Sequence, residues 1–111
     1  MNKDFLVHLF HILIVGSLFL YVGINKNKIF GFMYPILLSI GVIIIFYHGY
    51  KMYNHIKLHQ SYWVSLIHIF IVGPLLIYIG YNGTKTQRYF FEILMMLGFA
   101  SIGYHLYYLL Y

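Results

Sequence analysis

The sequence predicts an all-α integral membrane protein of four transmembrane helices, formed by two parallel tandem repeats of a helical hairpin. Composition is the first reason. Of 111 residues, 62% are hydrophobic, 22% aromatic and only 8% charged, whereas a soluble domain draws about a quarter of its residues from the charged set. Charge spacing is the second. Residues 5–25, 29–50 and 61–84 contain no Asp, Glu, Lys or Arg, and residues 89–111 contain only Glu92. Each stretch reaches the roughly 20 residues that a helix needs to cross a hydrocarbon core about 30 Å thick. The third is self-similarity. Displaced by 57 positions, the chain superposes on itself without a gap, and 19 of the 54 facing pairs are identical. A period of that length marks a duplicated structural unit.

The first stretch lacks the small-residue cleavage site of a secretory signal and has an internal counterpart, so it reads as a structural span. Its histidine stripe runs at three- and four-residue spacing through His8, His11, Val15, Leu18 and Val22. The stretch closes on a polar tip, Asn25-Lys26-Asn27-Lys28, where Asn readily ends a helix. The second stretch carries Pro35 in its first turns, where a missing N–H costs little, and then Gly41, Ile45 and His48 along one face. A linker at 55–57 separates repeat one (1–54) from repeat two (58–111), all within one four-helix domain, 1–111. The third stretch renews the first stripe as Ser65, His68, Val72, Leu75 and Ile79. Pro74 inside it predicts a kink, and Ser17 stands at the matching place in the first stretch. After the tip Asn82-Gly83-Thr84-Lys85, the fourth stretch renews Gly98, Ile102 and His105.

A hairpin with two crossings returns the chain to its starting side. The repeats are therefore expected to be parallel, related by a pseudo-twofold axis along the membrane normal, with both termini on one side. Lys3, Lys51 and Lys57 lie on the linker side, and Lys26, Lys28, Lys85 and Arg88 at the tips, a slight bias toward cytoplasmic tips. The net charge of +5 would suit nucleic acid in a soluble chain. Here the bases flank membrane ends, so the lipid bilayer is the expected partner and nucleic acid is not. With no cysteine, neither a disulfide framework nor a thiolate site is available.

Small residues let membrane helices approach closely. Gly16 and Gly23 are seven apart, on a face about 140° round an uninterrupted helix from His11, which predicts a contact face separate from the histidine stripe. Gly41 and Gly98 lie two turns from His48 and His105 on the same face. They serve either packing or, alternatively, clearance for a flat ligand beneath those histidines. Tyr47 and Tyr104, adjacent to His48 and His105, fit an interfacial aromatic belt or a hydrogen bond to a ring nitrogen or ligand.

Ionisable groups within a span are functional candidates by default. His11, His48, His68 and His105 supply one per helix, all in the membrane half away from the tips. Counted from the tips, His48 and His105 stand about five residues nearer the surface, roughly 7 Å at 1.5 Å per residue. That offset predicts two symmetric pairs, His11 with His68 and His48 with His105, each across the pseudo-twofold axis. Imidazole suits Fe, Cu, Zn and Ni, and the absence of nearby carboxylates argues against Ca and Mg. The expected cofactor is thus a transition metal ion or a haem-like tetrapyrrole held between transmembrane histidines. On His11, His48, His68, His105, Gly41 and Gly98 the chain loosely resembles membrane b-type cytochromes in architecture. The resemblance implies electron transfer with at most one haem layer, because the tip-side half holds no ligand. His8, His55 and His59 have no repeat partner. His55 and His59 could share a metal on a continuing helix, or be solvated linker residues.

Three functions compete on these residues: a cofactor-binding membrane protein for electron transfer or sensing, a histidine-dependent proton or metal-ion channel or transporter, and a structural protein with packed histidines. Histidine titrates near physiological pH, but the tip-side half is lined by Leu, Ile, Val and Phe. A monomer leaves little room for a pore; a homo-oligomer would supply it. No hydrolase, transferase or nucleotide-binding motif is present, and Glu92 has no acid–base partner, so no enzyme activity beyond redox chemistry is expected.

Overall fold

A computed structural model describes residues 3–111. Four of its helices are long and apolar enough to cross a membrane: Phe5–Lys28, Met33–Lys57, Trp63–Lys85 and Arg88–Leu110. These are the dimensions of a multi-pass membrane protein. The first span runs as α1 (Lys3–Phe10), a π turn (His11–Val15), α2 (Gly16–Asn25) and a 3₁₀ turn (Lys26–Lys28). The second is a single helix, α3 (Met33–Lys57). The third runs as α4 (Trp63–Ile67), a π turn (His68–Val72), α5 (Gly73–Asn82) and a 3₁₀ turn (Gly83–Lys85). The fourth is α6 (Arg88–Leu110).

The chain forms two compact units. One joins the N-terminal stretch up to Lys28 with Gln87–Tyr111; the other is Ile29–Thr86. In the first unit the first span packs along α6, and in the second the third span packs along α3. Each unit therefore draws one helix from each half of the sequence. Packing inside the first unit is centred on Phe19, Val22, Phe91 and Leu94, and inside the second on Leu37, Leu75, Leu76 and Ile79, all buried. Lipid tails are as apolar as these side chains, so close van der Waals fit, rather than escape from water, rewards the contact.

Glycine makes that fit possible. In the first unit Gly16 lies against the Ile102 side chain, and a Cβ at Gly23 would stand 2.8 Å from the Met95 backbone nitrogen. In the second, a Cβ at Gly73 would meet Ile45, and one at Gly80 would stand 2.6 Å from the Leu38 nitrogen and the Tyr34 oxygen. Both units thus run antiparallel in one register: seven residues along one helix match seven back along its neighbour.

Both π turns begin at a histidine and end at a glycine, with the Gly16 N–H donating to the His11 oxygen and the Gly73 N–H to the His68 oxygen. This i→i+5 bonding places one extra residue in the turn. An α-helix rotates roughly 100° per residue, so the five steps from His11 to Gly16 turn the helix as four ordinarily would. The expected 140° separation between histidine stripe and glycine face closes to about 40°, and both meet the same neighbouring helix. The anticipated two-face division is corrected on this point. Pro74 sits just beyond the second π turn. The first span carries the same turn with Ser17 there, so proline is not its cause.

Each odd span ends alike. Asn25 and Asn82 donate from Nδ2 to the Tyr21 and Tyr78 oxygens, both at 2.8 Å, each a side-chain bond to a carbonyl four residues back in the last turn. The next residue has positive φ, +56° at Lys26 and +59° at Gly83. Glycine takes this conformation without Cβ strain and lysine does not.

Three substitutions test this packing. Lys26→Gly should raise stability by about 1 kcal/mol, the scale of one strained backbone position, as measured by denaturant unfolding in detergent followed by circular dichroism. Gly80→Ala, which drives a Cβ into the α3 backbone, should lower it by about 1–3 kcal/mol. Gly103→Ala, with open space inside α6, should not lower it and should raise it by about 0.5–1 kcal/mol, since alanine loses less backbone freedom than glycine in a helix.

Candidate functional site

Each unit places a histidine from its odd span against one from its even span. The His11 and His105 rings stack with centroids 4.2 Å apart and planes 23° apart. The His48 and His68 rings stack at 3.9 Å and 15°. Inside each unit the stacked partners are therefore one odd-span and one even-span histidine. The expected stagger of roughly 7 Å between odd and even histidines is replaced by contact. It was counted from the tips, whereas level is set by the helix register. From Gly16 opposite Ile102, His11 lies five residues away and His105 three. The extra residue of the π turn absorbs one of the difference, leaving the two rings within about one residue of level.

Backbone bonds fix the odd histidines. His11 Nδ1 lies 2.8 Å from the Val7 carbonyl oxygen, and His68 Nδ1 lies 2.8 Å from the Val64 oxygen. A carbonyl only accepts, so in both rings Nδ1 carries the hydrogen and, in the neutral ring, Nε2 holds the lone pair. This arrangement orients a histidine for proton uptake or for a metal.

The two stacks differ around their edges. In the first unit His8 Nδ1 lies 2.8 Å from His105 Nδ1, so one hydrogen lies between two ring nitrogens, and the His8 and His105 centroids are 5.1 Å apart. Tyr104 meets His105 edge-on at 5.0 Å, and Tyr108 lies nearly parallel to His8 at 6.1 Å. In the second unit Tyr47 meets His48 edge-on at 5.2 Å, and the Lys51 ammonium sits 5.6 Å above the Tyr47 ring. The sequence displacement sets buried Ser65 at the place of His8, and Lys51 at that of Tyr108. His8 was set aside for lack of a repeat partner. Its signal was present as the i, i+3 spacing to His11, which puts both on one face.

Gly41 and Gly98 pack against the facing helix. A Cβ at Gly41 would stand 2.8 Å from the Gly73 oxygen and from an Ile77 side-chain carbon, and one at Gly98 would stand 3.1 Å from Phe19 Cβ. His55 and His59 do not share a helix face. α3 ends at Lys57, His59 has φ +58°, and His55 Nδ1 bonds the Ser61 oxygen at 2.7 Å. Glu92 pairs with Arg88 at 2.8 Å.

Stacked rings have lone pairs in nearly parallel planes, which do not converge on one atom. A metal bound by both rings of a pair, at bonds of about 2 Å, would need them to rotate. A tetrapyrrole needs its axial imidazoles on opposite faces, and rings 3.9 Å apart leave no thickness for a macrocycle between them. Among the described residues no group of three or more His, Cys, Asp or Glu is arranged to hold a metal ion. Comparison with protein-family models, curated proteins and solved structures finds no match, and the site's own chemistry carries the reading.

At neutral pH, long-range proton–nitrogen correlation spectra of histidine-labelled protein should show His11 and His68 as Nδ1–H tautomers. Val7 and Val64 accept through the backbone, so substituting their side chains should leave that tautomer in place.

Proposed function

We propose that this is a small multi-pass membrane protein whose stacked histidines take up protons in one membrane half, making it a pH-responsive membrane component. The observation that carries the reading is the stack itself. In each unit a ring oriented by its Nδ1–carbonyl bond stacks on a second imidazole, with centroids about 4 Å apart. Histidine is the side chain that changes charge near physiological pH without special perturbation. A protonated ring is accommodated by the face of a neutral neighbour, while two unit charges about 4 Å apart repel by about 4 kcal/mol at an effective dielectric of 20. One proton per stack is the favoured load. The apolar tip-side packing, with Val22, Leu76, Ile79 and Leu94 wholly buried, supports a protonation station ahead of a through-path.

A transition-metal ion is the second reading, and the Nδ1–carbonyl bonds of His11 and His68 favour it. Those bonds are the outer support that metal-ligating histidines commonly have. We also infer that the two halves of the sequence, 1–54 and 58–111, derive from one duplicated hairpin. The shared glycine register, the paired π turns and the two stacks support that origin.

The test is a pH titration of the full chain in lipid nanodiscs, following histidine ring nitrogens between pH 5 and 8, with elemental analysis and a visible spectrum of the same sample. Movement of ring-nitrogen signals in a colourless, metal-free protein is the expected result. Ring nitrogens that stay neutral throughout would overturn the proposal. A Soret band or stoichiometric metal lost on His11→Ala with His105→Ala would transfer the site to the cofactor reading.

A further inference from the structure

We propose that the two stacks are not equivalent, and that the proton is taken by the first unit, shared between His8 and His105. This rests on the proton-uptake reading and assigns it to one site. With both rings neutral, the single hydrogen between His8 Nδ1 and His105 Nδ1, 2.8 Å apart, makes one ring the donor and the other the acceptor. The donor ring's Nε2 then holds a lone pair. A proton arriving there leaves both Nε2 atoms protonated and converts the bridge into an imidazolium–imidazole hydrogen bond. No bond other than N–H forms or breaks, and the charge extends over two rings. Hydrogen bonds with an ionised partner are roughly twice as strong as neutral ones.

The surroundings favour that cation. His11 stacks on His105 at 4.2 Å, presenting a neutral ring whose Nδ1–H is committed to the Val7 carbonyl. Tyr108 lies nearly parallel to His8, and aromatic faces attract cations. Tyr104 meets His105 from the side. His11 from the π turn and Tyr104 and Tyr108 from α6 thus face the bridge. On α1 itself, Lys3 and Asp4 stand about one turn before His8 in the sequence, with side chains outside the described residues. Arg88 and Glu92 pair with each other in the first turn and a half of α6.

The second unit lacks these features. Ser65 replaces the bridging imidazole and is buried. Lys51 already places an ammonium 5.6 Å from the centre of Tyr47, the ring that meets His48. His55, farther along α3, is bonded to the Ser61 carbonyl. A proton on the His48–His68 stack would share its neighbourhood with a standing positive charge, and a serine stands where the first unit has its second imidazole.

The experiment uses the full chain in zwitterionic nanodiscs with nitrogen-15 histidine. In the wild type, a nitrogen–nitrogen coupling across the hydrogen bond should join His8 and His105. Both should move together on acidification, with one proton taken up per chain, while His48 and His68 move later. His8→Ser, which copies the second unit's residue, should lower the proton affinity of His105 at least about tenfold, or about 1.4 kcal/mol. Equal titration of both stacks, or a His105 midpoint unchanged in His8→Ser, overturns this assignment and leaves the broader proposal standing. No titrating histidine in the wild type removes both. Should His8→Ser fail to fold, the wild-type coupling decides alone: its absence at all pH values overturns the shared proton.

Discussion

One extra residue in a helical turn governs how this chain packs. In an uninterrupted α-helix His11 and Gly16 would face directions about 140° apart. The helix could then offer either its histidine or its glycines to a neighbour. The π turn brings them to one side, so a single helix contact holds both a close backbone approach and an imidazole stack. The same turn stands at His68 and Gly73. Such turns are usually found at functional sites, and here the reason is geometric. The glycines bring the helices near enough for rings projecting from opposite backbones to meet at about 4 Å.

Close approach also decides what the histidines can do. In a medium without water, a polar nitrogen left unpartnered costs several kcal/mol, which is why His11 and His68 use one nitrogen on a backbone carbonyl of their own helix. Anchoring in this way fixes the tautomer and limits how far the ring can turn. A stacked pair so anchored suits a ligand as small as a proton, which needs one lone pair. A metal shared by the pair asks both rings to leave the stack.

The span count and apolar character were legible because lipid solvation acts on composition over some twenty residues at a time. The glycine register was partly legible, since Gly16, Gly23, Gly73 and Gly80 recur at a fixed displacement. What could not be read was helix pairing. Contact within each compact unit joins the first span with the fourth and the second with the third. The repeat is equally compatible with pairing inside each hairpin, because both arrangements put an odd helix against an even one. The histidine levels were misjudged for a related reason. Periodicity arguments assume 3.6 residues per turn, and the residues HILIV and HIFIV carry no proline or glycine to announce a wider turn. Agreement between the halves acts as a filter that a residue such as His8, whose counterpart is Ser65, does not pass.

That filter has a physical meaning once the contacts are known. Positions where the halves agree, Gly16 with Gly73, Gly41 with Gly98 and His48 with His105, lie in the helix contact, where volume and approach distance constrain the side chain. Two positions where they differ lie beside the stacks: His8 with Ser65, and Tyr108 with Lys51. Here a polar group in one half stands against a differently charged one in the other. Packing thus accounts for the likeness of the halves and leaves their differences free to set charge. Two units with the same frame and different edges can hold the same stack in different protonation states, which two identical units could not do.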